Sequence, residues 1–328
     1  QKFYEETFAS FKKFEDIQVG DWSPNMLETG MFPSKVPAFD HSAVVANLSR
    51  EELKIPTKMT EELAEIFGFL VSEGYLPEKY DRISITNANE CFKKRFSKAC
   101  WNVFGLYIQW NLASNELAHE ALINESAVRQ FIKHHVTTEK SRKKSVPLVV
   151  RQSPEHIQQA FLRALYEGDG TICRENLKDK NRWRLEYDTL SIRLARQVKM
   201  MLANMGIFAT LRSSIKTATN GTEGNSCRCY RLSIPRQHFE LFQQKIGFIS
   251  KLRRGLLKDA VKHIKTLAAN NDTNLTDAGD FNKIPFINLV NRLLTRVDEI
   301  AQTFHYEVAC GGRWNTDSVR QCAFTLST

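Results

Sequence analysis

Two apolar runs of helical length in this chain each stop abruptly at an acidic residue and a glycine. The first is Ile66-Phe67-Gly68-Phe69-Leu70-Val71-Ser72-Glu73-Gly74 and the second is Leu162-Arg163-Ala164-Leu165-Tyr166-Glu167-Gly168-Asp169-Gly170. Their terminal carboxylates, Glu73 and Asp169, lie 96 residues apart, a period that suits a duplicated unit. The pattern after the second run supports duplication. Along NRWRLEYDT, Trp183, Leu185 and Tyr187 alternate with Arg182, Arg184 and Glu186, as a half-buried strand requires. Leu190, Leu194, Val198, Met201, Leu202 and Met205 then recur at spacings of three and four, and Gly206 stands at the place of a helix C-cap. FATLRSSIK and CRCYRLSIP alternate again and predict a hairpin across Asn220-Gly221, and HFELFQQKIGF closes the unit as a helix ending at Gly247. After the first run the order is similar: a strand near RISIT, a helix with Phe92, Phe96, Cys100 and Val103 inward, a strand LYIQW with Tyr107 and Gln109 on its polar face, and a helix AVRQFIKHHV. Each half therefore reads helix, strands, helix, strands, helix, with one sheet face apolar and the other polar.

The chain of 328 residues is 42% hydrophobic and 25% charged, enough for two or three cored domains. No apolar run approaches the roughly 18 to 20 residues that cross a bilayer, and QKFYEETF offers no apolar stretch for a secretory signal, so an intracellular protein without a membrane partner is expected. Seven cysteines, scattered and odd in number, indicate neither a disulfide framework nor a zinc site. His134 and His135 read as surface or cap residues. Charge is distributed unevenly: residues 1–70 hold 7 Lys+Arg against 12 Asp+Glu, whereas residues 141–280 hold 25 against 13. A local basic field is either a solvated surface or the footprint of a polyanion such as nucleic acid.

The chemistry begins at the two helix ends. Gly68 and Ser72, and Ala164 and Gly168, give each helix a narrow stripe of small side chains, so the two helices can approach closely and bring Glu73 and Asp169 together. Paired carboxylates at two helix C-termini repel each other and the helix dipoles unless a cation intervenes. Mg²⁺, with its preference for one or two carboxylates plus water and phosphate oxygens, suits that place and the hydrolysis of a phosphodiester. Glu167 reads as a surface residue, on a different side of the helix from Asp169.

IFGFLVSEG and LRALYEGDG resemble the two signature motifs of a monomeric LAGLIDADG homing endonuclease, and their surroundings resemble the intein-encoded branch. KKSVPLVVRQSPEHIQQAFLRALYEGDG, TLSIRLARQVKMMLANMGIFATLRS and IGFISKLRRGLL carry the likeness over about residues 57–258. The resemblance implies an α+β fold of two pseudo-symmetric αββαββα units whose antiparallel sheets form a saddle over double-stranded DNA. It further implies a monomer that cuts a long asymmetric site with Mg²⁺ (Mn²⁺ substituting) and leaves 3′ overhangs. Residue by residue it implies Glu73 and Asp169 as metal ligands, with Ser72 and Gly168 beside them in the metal site. Lys144 and a basic residue near Lys251 would position or polarise the attacking water. Glu replaces the usual Asp at 73, and in the second half the expected Lys aligns better with Arg253, which can hold phosphate but cannot exchange a proton. The polar strand faces supply the expected DNA contacts: Arg82, Ser84, Thr86, Tyr107, Gln109, Lys143, Arg182, Arg184, Glu186, Thr210, Arg212, Ser214, Lys216, Arg231, Ser233 and Arg253. A regulator or RNA maturase of the same fold that binds without cutting is the alternative.

The expected organisation is an N-terminal extension over 1–56, a first half over 57–148, a second over 149–255 and a C-terminal extension over 256–328. FEDIQVGDW resembles the end of a splicing module. Gln1 is no nucleophile, however, and the chain ends CAFTLST rather than in His-Asn, so self-splicing is not expected. In the tail, NNDTNLTDAGD reads as a linker and IPFINLVNRLLTRVDEIAQTF as a helix.

Overall fold

The computed structural model describes residues 25–26, 30, 32–39, 53–77, 81–113, 117–136, 141–177, 180–217, 226–269, 305–307 and 322–323. The chain divides into two compact units, residues 30–264 and residues 1–29 with 265–328. In the latter, three short strands, β1 (Asn25–Met26), β10 (His305–Glu307) and β11 (Cys322–Ala323), form an antiparallel sheet in the order β1-β10-β11. The linker and helix predicted for the tail, and FEDIQVGDW, lie outside the described residues.

The larger unit contains the same seven-element series twice. The first is α1 (Glu61–Glu73), β2 (Gly74–Tyr75), β3 (Ser84–Asn87), α2 (Glu90–Phe104), β4 (Trp110–Leu112), β5 (His119–Leu122) and α3 (Ser126–His135). After a single turn, α4 (Leu148–Arg151), the second is α5 (Glu155–Asp169), β6 (Gly170–Leu177), β7 (Lys180–Thr189), α6 (Ile192–Asn204), β8 (Thr210–Thr217), β9 (Ser226–Ile234) and α7 (Phe239–Lys245). The two antiparallel sheets share one strand order, β2-β3-β5-β4 and β6-β7-β9-β8. The expected αββαββα duplication is thus the architecture.

Local signals place the elements. The Thr60 side chain accepts from the Leu63 amide at 3.1 Å to start α1, while Asn89 and Ser191 cap α2 and α6 in the same manner. The duplication extends to these caps: the Asn89 amide donates to the Asn87 side chain at 2.8 Å, and the Ser191 amide to the Thr189 hydroxyl at 3.2 Å. Gly105, Gly206 and Gly247, at φ 66°, 82° and 65°, turn the chain out of α2, α6 and α7 in the left-handed conformation. The apolar sheet faces and inner helix faces make one continuous core. Phe69, Phe92 and Phe96 fill it in the first half, and Tyr166, Tyr187 and Phe242 in the second. The halves are also joined by charge: Glu65 of α1, 2% exposed, pairs with Arg95 of α2 at 2.5 Å and with Arg163 of α5 at 3.7 Å.

The structure departs from the sequence reading in three places. LYIQW alternates as expected, with Leu106 and Ile108 buried, but ladder pairing begins only at Trp110. The partner strand β5 is short and carries His119 and Glu120, so it has no strand signature of its own. Finally, the boundary expected at 255/256 falls inside a continuous helix, α8 (Lys251–Ala269). Among the described residues, no helix is long and apolar enough to cross a membrane.

His238, 9% exposed in the turn before α7, gives this fold a measurable pH dependence. Burial lowers its imidazole from 6.5 to about 4, against a hydrogen bond with the Gly206 backbone. As pH falls from about 6.5 to about 4 the unfolded chain takes up a proton that the folded chain refuses, so stability declines across that window, by about 3 kcal/mol in full. Urea midpoints measured at pH 7 and pH 4.5 should show the decline, and His238→Gln should lessen it; an equal decline in the variant would assign the effect to other groups.

Candidate catalytic and nucleic-acid site

Helices α1 and α5 lie so close that their small residues are obligatory. A Cβ added at Gly68 would meet the Phe161 carbonyl oxygen at 2.5 Å and the Ala164 Cβ at 2.8 Å. One added at Gly168 would collide with the Cβ and hydroxyl of Ser72 and come within 3.3 Å of the Glu73 Cγ. The predicted Gly68/Ser72 and Ala164/Gly168 stripes therefore face each other. The Ser72 hydroxyl turns back into its own helix, donating to the Gly68 and Phe69 carbonyls at 3.1 and 3.0 Å.

This packing delivers Glu73 and Asp169, each the last residue of its helix, to one polar floor. Burial raises the Asp169 carboxyl from 3.8 to about 7, with Glu73 and Asp188 adding to the rise and Lys144 and Arg253 opposing it. Burial also raises Glu73, while Lys144, Arg253 and a 3.1 Å hydrogen bond donated by the Asn87 side chain hold it down. Lys144 interacts with both, its amine lowered by burial and supported by the charges of Asp169 and Glu73.

Each helix end receives one cation. Lys144 Nζ donates to the Ser72 carbonyl at 2.8 Å, at the tip of α1. Arg253 donates to the Tyr166 carbonyl at 3.1 Å and to the Glu167 carbonyl, at the tip of α5. Both donors reach carbonyls of a last helical turn and oppose its negative end, Arg253 sharing the Tyr166 carbonyl with the Gly170 amide. Lys144 is itself fixed from the second half, because the Ser191 hydroxyl donates to its carbonyl at 2.6 Å. Of the two basic residues that the sequence left open, Arg253 reaches the site, whereas Lys251 stands exposed at the start of α8.

Sequence reasoning missed two groups and misplaced a third. Asn87, on the inward parity of β3, had one signal: an amide where the pattern called for an apolar residue. Asp188 adds its charge to Asp169 from β7. Glu167 is not on the surface: it is 3% exposed and accepts from the Ile249 and Ser250 amides at 2.7 and 3.0 Å. It lies three residues from Ala164, hence beside the packed stripe, and this spacing was the available warning.

The register puts the candidate contact residues of the second sheet on one face. Across the strands run the rows Thr171–Glu186–Ser233–Thr210 and Asp188–Arg231–Arg212, with Arg184, Ser214 and Lys216 at the same parity, while the Arg182 side chain lies outside what the structure describes. Asp188 grips Arg231 through two bonds at 2.8 and 2.9 Å and Lys216 at 2.7 Å, and Glu175 holds Arg184 at 2.5 Å. The first sheet is less charged. Arg82 pairs with Glu120 at 2.8 Å, Thr86 is half-buried, and Ser84 is covered within the row Tyr75–Ser84–Leu122. Tyr107 and Gln109 are exposed before β4, and Lys143 is exposed in the turn before Lys144.

The site suits a divalent ion. Two half-buried carboxylates, one displaced to about 7, share a floor on which a cation would offset the cost of their charge. Among the described residues no group of three or more His, Cys, Asp or Glu gathers to form a closed metal cage. An ion held by two carboxylates would keep water and substrate oxygens in the rest of its shell.

Residues 156–247 match the family model of a LAGLIDADG-like domain. The matched residues lie within the second half, whose element and strand order the first half repeats. Among curated proteins, the replication factor C small subunit of Methanocaldococcus jannaschii is 24% identical over 204 residues, covering 62% of this chain and 10% of that protein. A DNA gyrase polypeptide of Mycobacterium kansasii is 29% identical over 191 residues, covering 56% and 32%. An A-type ATP synthase polypeptide of Pyrococcus abyssi is 26% identical over 167 residues, covering 50% and 15%. The aligned part is therefore at most 32% of the length of these three relatives. Among solved structures, the homing endonuclease I-WcaI bound to its DNA recognition sequence is 14% identical with a TM-score of 0.41, covering 61% of this chain and 87% of that one. I-DmoI in complex with DNA and Mn is 18% identical with a TM-score of 0.38, covering 57% and 96%.

The close approach can be tested by crowding it. Gly168→Ala should destabilise the chain by on the order of 1–3 kcal/mol in urea denaturation. Adding Ser72→Gly, which removes both colliding atoms, should recover most of that loss. If the double variant is no more stable than the single one, the helices are not in register at this point.

Proposed function

We propose that this chain is a site-specific double-strand DNA endonuclease that hydrolyses one phosphodiester in each strand. The observation that carries this reading is the pair of carboxylates on a shared floor, with one cation at each helix tip, in a unit whose second sheet presents an Arg- and Lys-bearing face. A divalent ion held by Glu73 and Asp169, Mg²⁺ by preference with Mn²⁺ substituting, would supply charge neutralisation at the phosphate and a more acidic water. Lys144, a half-buried amine whose affinity for its proton is lowered, is suited to exchange a proton with water near the tip of α1. Arg253 remains protonated and is suited to hold the phosphate near the tip of α5. Arg212, Ser214 and Lys216, exposed on the second sheet, would meet backbone and base edges, and the less charged first sheet would read its half differently. Divergent halves in one chain fit a monomer on a long asymmetric target, cut to leave 3′ overhangs.

The relatives that share this segment carry names with little in common, and it occupies a small part of each. Such recurrence is expected of a self-contained insert, which supports the reading of this chain as intein-encoded and active inside the cell.

Selection of cleaved sequences from a randomised duplex library with Mg²⁺ should recover one long non-palindromic site, and a supercoiled plasmid bearing it should be linearised. Retardation without cutting would instead identify a DNA-binding regulator. Asp169→Asn should abolish cutting and leave affinity within a few-fold. The same change should raise stability in EDTA at pH 8, because the raised carboxyl contributes stability below about 3.8 that is lost as pH rises through about 7. Full activity in Asp169→Asn would end its assigned role. Affinity should fall steeply as salt is raised from about 50 to 200 mM, as many phosphate contacts require; a flat response would remove DNA as the partner.

A further inference from the structure

We propose that Glu167 is a positioning residue for one of the two strand-cutting centres, clamping the start of α8 so that Arg253 is held at the tip of α5. This rests on the endonuclease reading above and deepens it. One oxygen of the Glu167 carboxylate accepts both the Ile249 and Ser250 amides, at 2.7 and 3.0 Å. These amides lie just before Lys251, the first residue of a 19-residue helix whose N-terminus favours negative charge. The other oxygen, Oε1, is buried without a hydrogen-bond partner, so the hydrogen bonds of this carboxylate all go to the start of α8. Arg253, on the first turn of that helix, returns to the carbonyls of Tyr166 and Glu167 and lies 5.7 Å over the Phe248 ring. The carboxylate and the guanidinium thus close a loop between α5 and α8, with Asp169 two residues beyond Glu167.

The first half lacks this arrangement. The residue two before Glu73 is Val71, fully buried and apolar. Its cation, Lys144, arrives on the segment between the halves and is fixed by Ser191. The two tips are therefore supplied with positive charge by independent routes, and only one of them passes through Glu167. Loss of Glu167 should release Arg253 and leave Lys144 in place.

The test uses the full chain and a supercoiled plasmid bearing the selected site, with strands end-labelled separately. Glu167→Ala should slow cutting of one strand about tenfold, so that nicked circle accumulates while the other strand is cut within about threefold of the wild-type rate and affinity is unchanged within the same margin. Arg253→Ala should slow the same strand, and the double variant should be no more than about twofold slower than the worse single. Glu167→Gln, which keeps an acceptor oxygen, should restore most of the rate. Hydrogen exchange of the Ser250 amide, read without DNA, should accelerate at least about tenfold in Glu167→Ala. Equal slowing of both strands, nicking of opposite strands by the two single variants, multiplicative effects in the double, or unchanged Ser250 exchange would each overturn the proposal. If the wild-type chain cuts no DNA, the endonuclease reading fails; if it cuts and Glu167→Ala cuts both strands normally, this inference alone fails.

Discussion

The close approach of α1 and α5 is the constraint on which the rest depends. Gly68 lies against the Phe161 carbonyl and the Ala164 Cβ, and Gly168 against the Ser72 side chain, and neither position has room for a methyl group without displacement. A looser pair of helices could still bury its flanking aromatic residues, but its C-terminal ends would not share one floor. Packing that would otherwise be a matter of stability therefore sets the distance between two charges.

Those charges explain the remaining features of the floor. Two carboxylates forced into a partly buried space are unfavourable neighbours, and burial is the largest contribution to the rise of both. The chain answers with Lys144, Arg253 and Asn87, drawn from the inter-half segment, the helix after the second half and the first sheet. Their attraction is incomplete, since Asp169 still rises to about 7. This uncompensated cost of charging Asp169, mostly burial with repulsion from Glu73 and Asp188 added, destabilises the ion-free chain once the carboxyl ionises.

Much of this was legible in the sequence, and the reasons differ by element. The long, strongly patterned segments, such as Ile192–Asn204 and the β8/β9 hairpin, declare themselves through periodicity because each buries one face. The Gly68/Ser72 and Ala164/Gly168 stripes were legible because close packing restricts residue size, and size is written in the sequence. Strand β5 was not, since only Ala121 of its four residues is apolar and buried and the strand is specified by its partners β3 and β4. Glu167 was hidden for a different reason. Its purpose is set by amides 82 and 83 residues away, and no local pattern distinguishes a solvated glutamate from one that caps a remote helix. Asn87 and Arg253 reach the floor through tertiary placement, although the family resemblance had pointed to Arg253.

The segment carrying Lys144 has a consequence for the independence of the two repeats. Its amine serves the tip of α1, yet its own carbonyl is tethered by Ser191 at the head of α6, and the Val146 amide donates to Gln197 on the same helix at 2.8 Å. The first repeat does not own its cation: it borrows one that the second repeat holds in place. A first repeat detached from the second would therefore lose the tether that holds this amine at its helix tip.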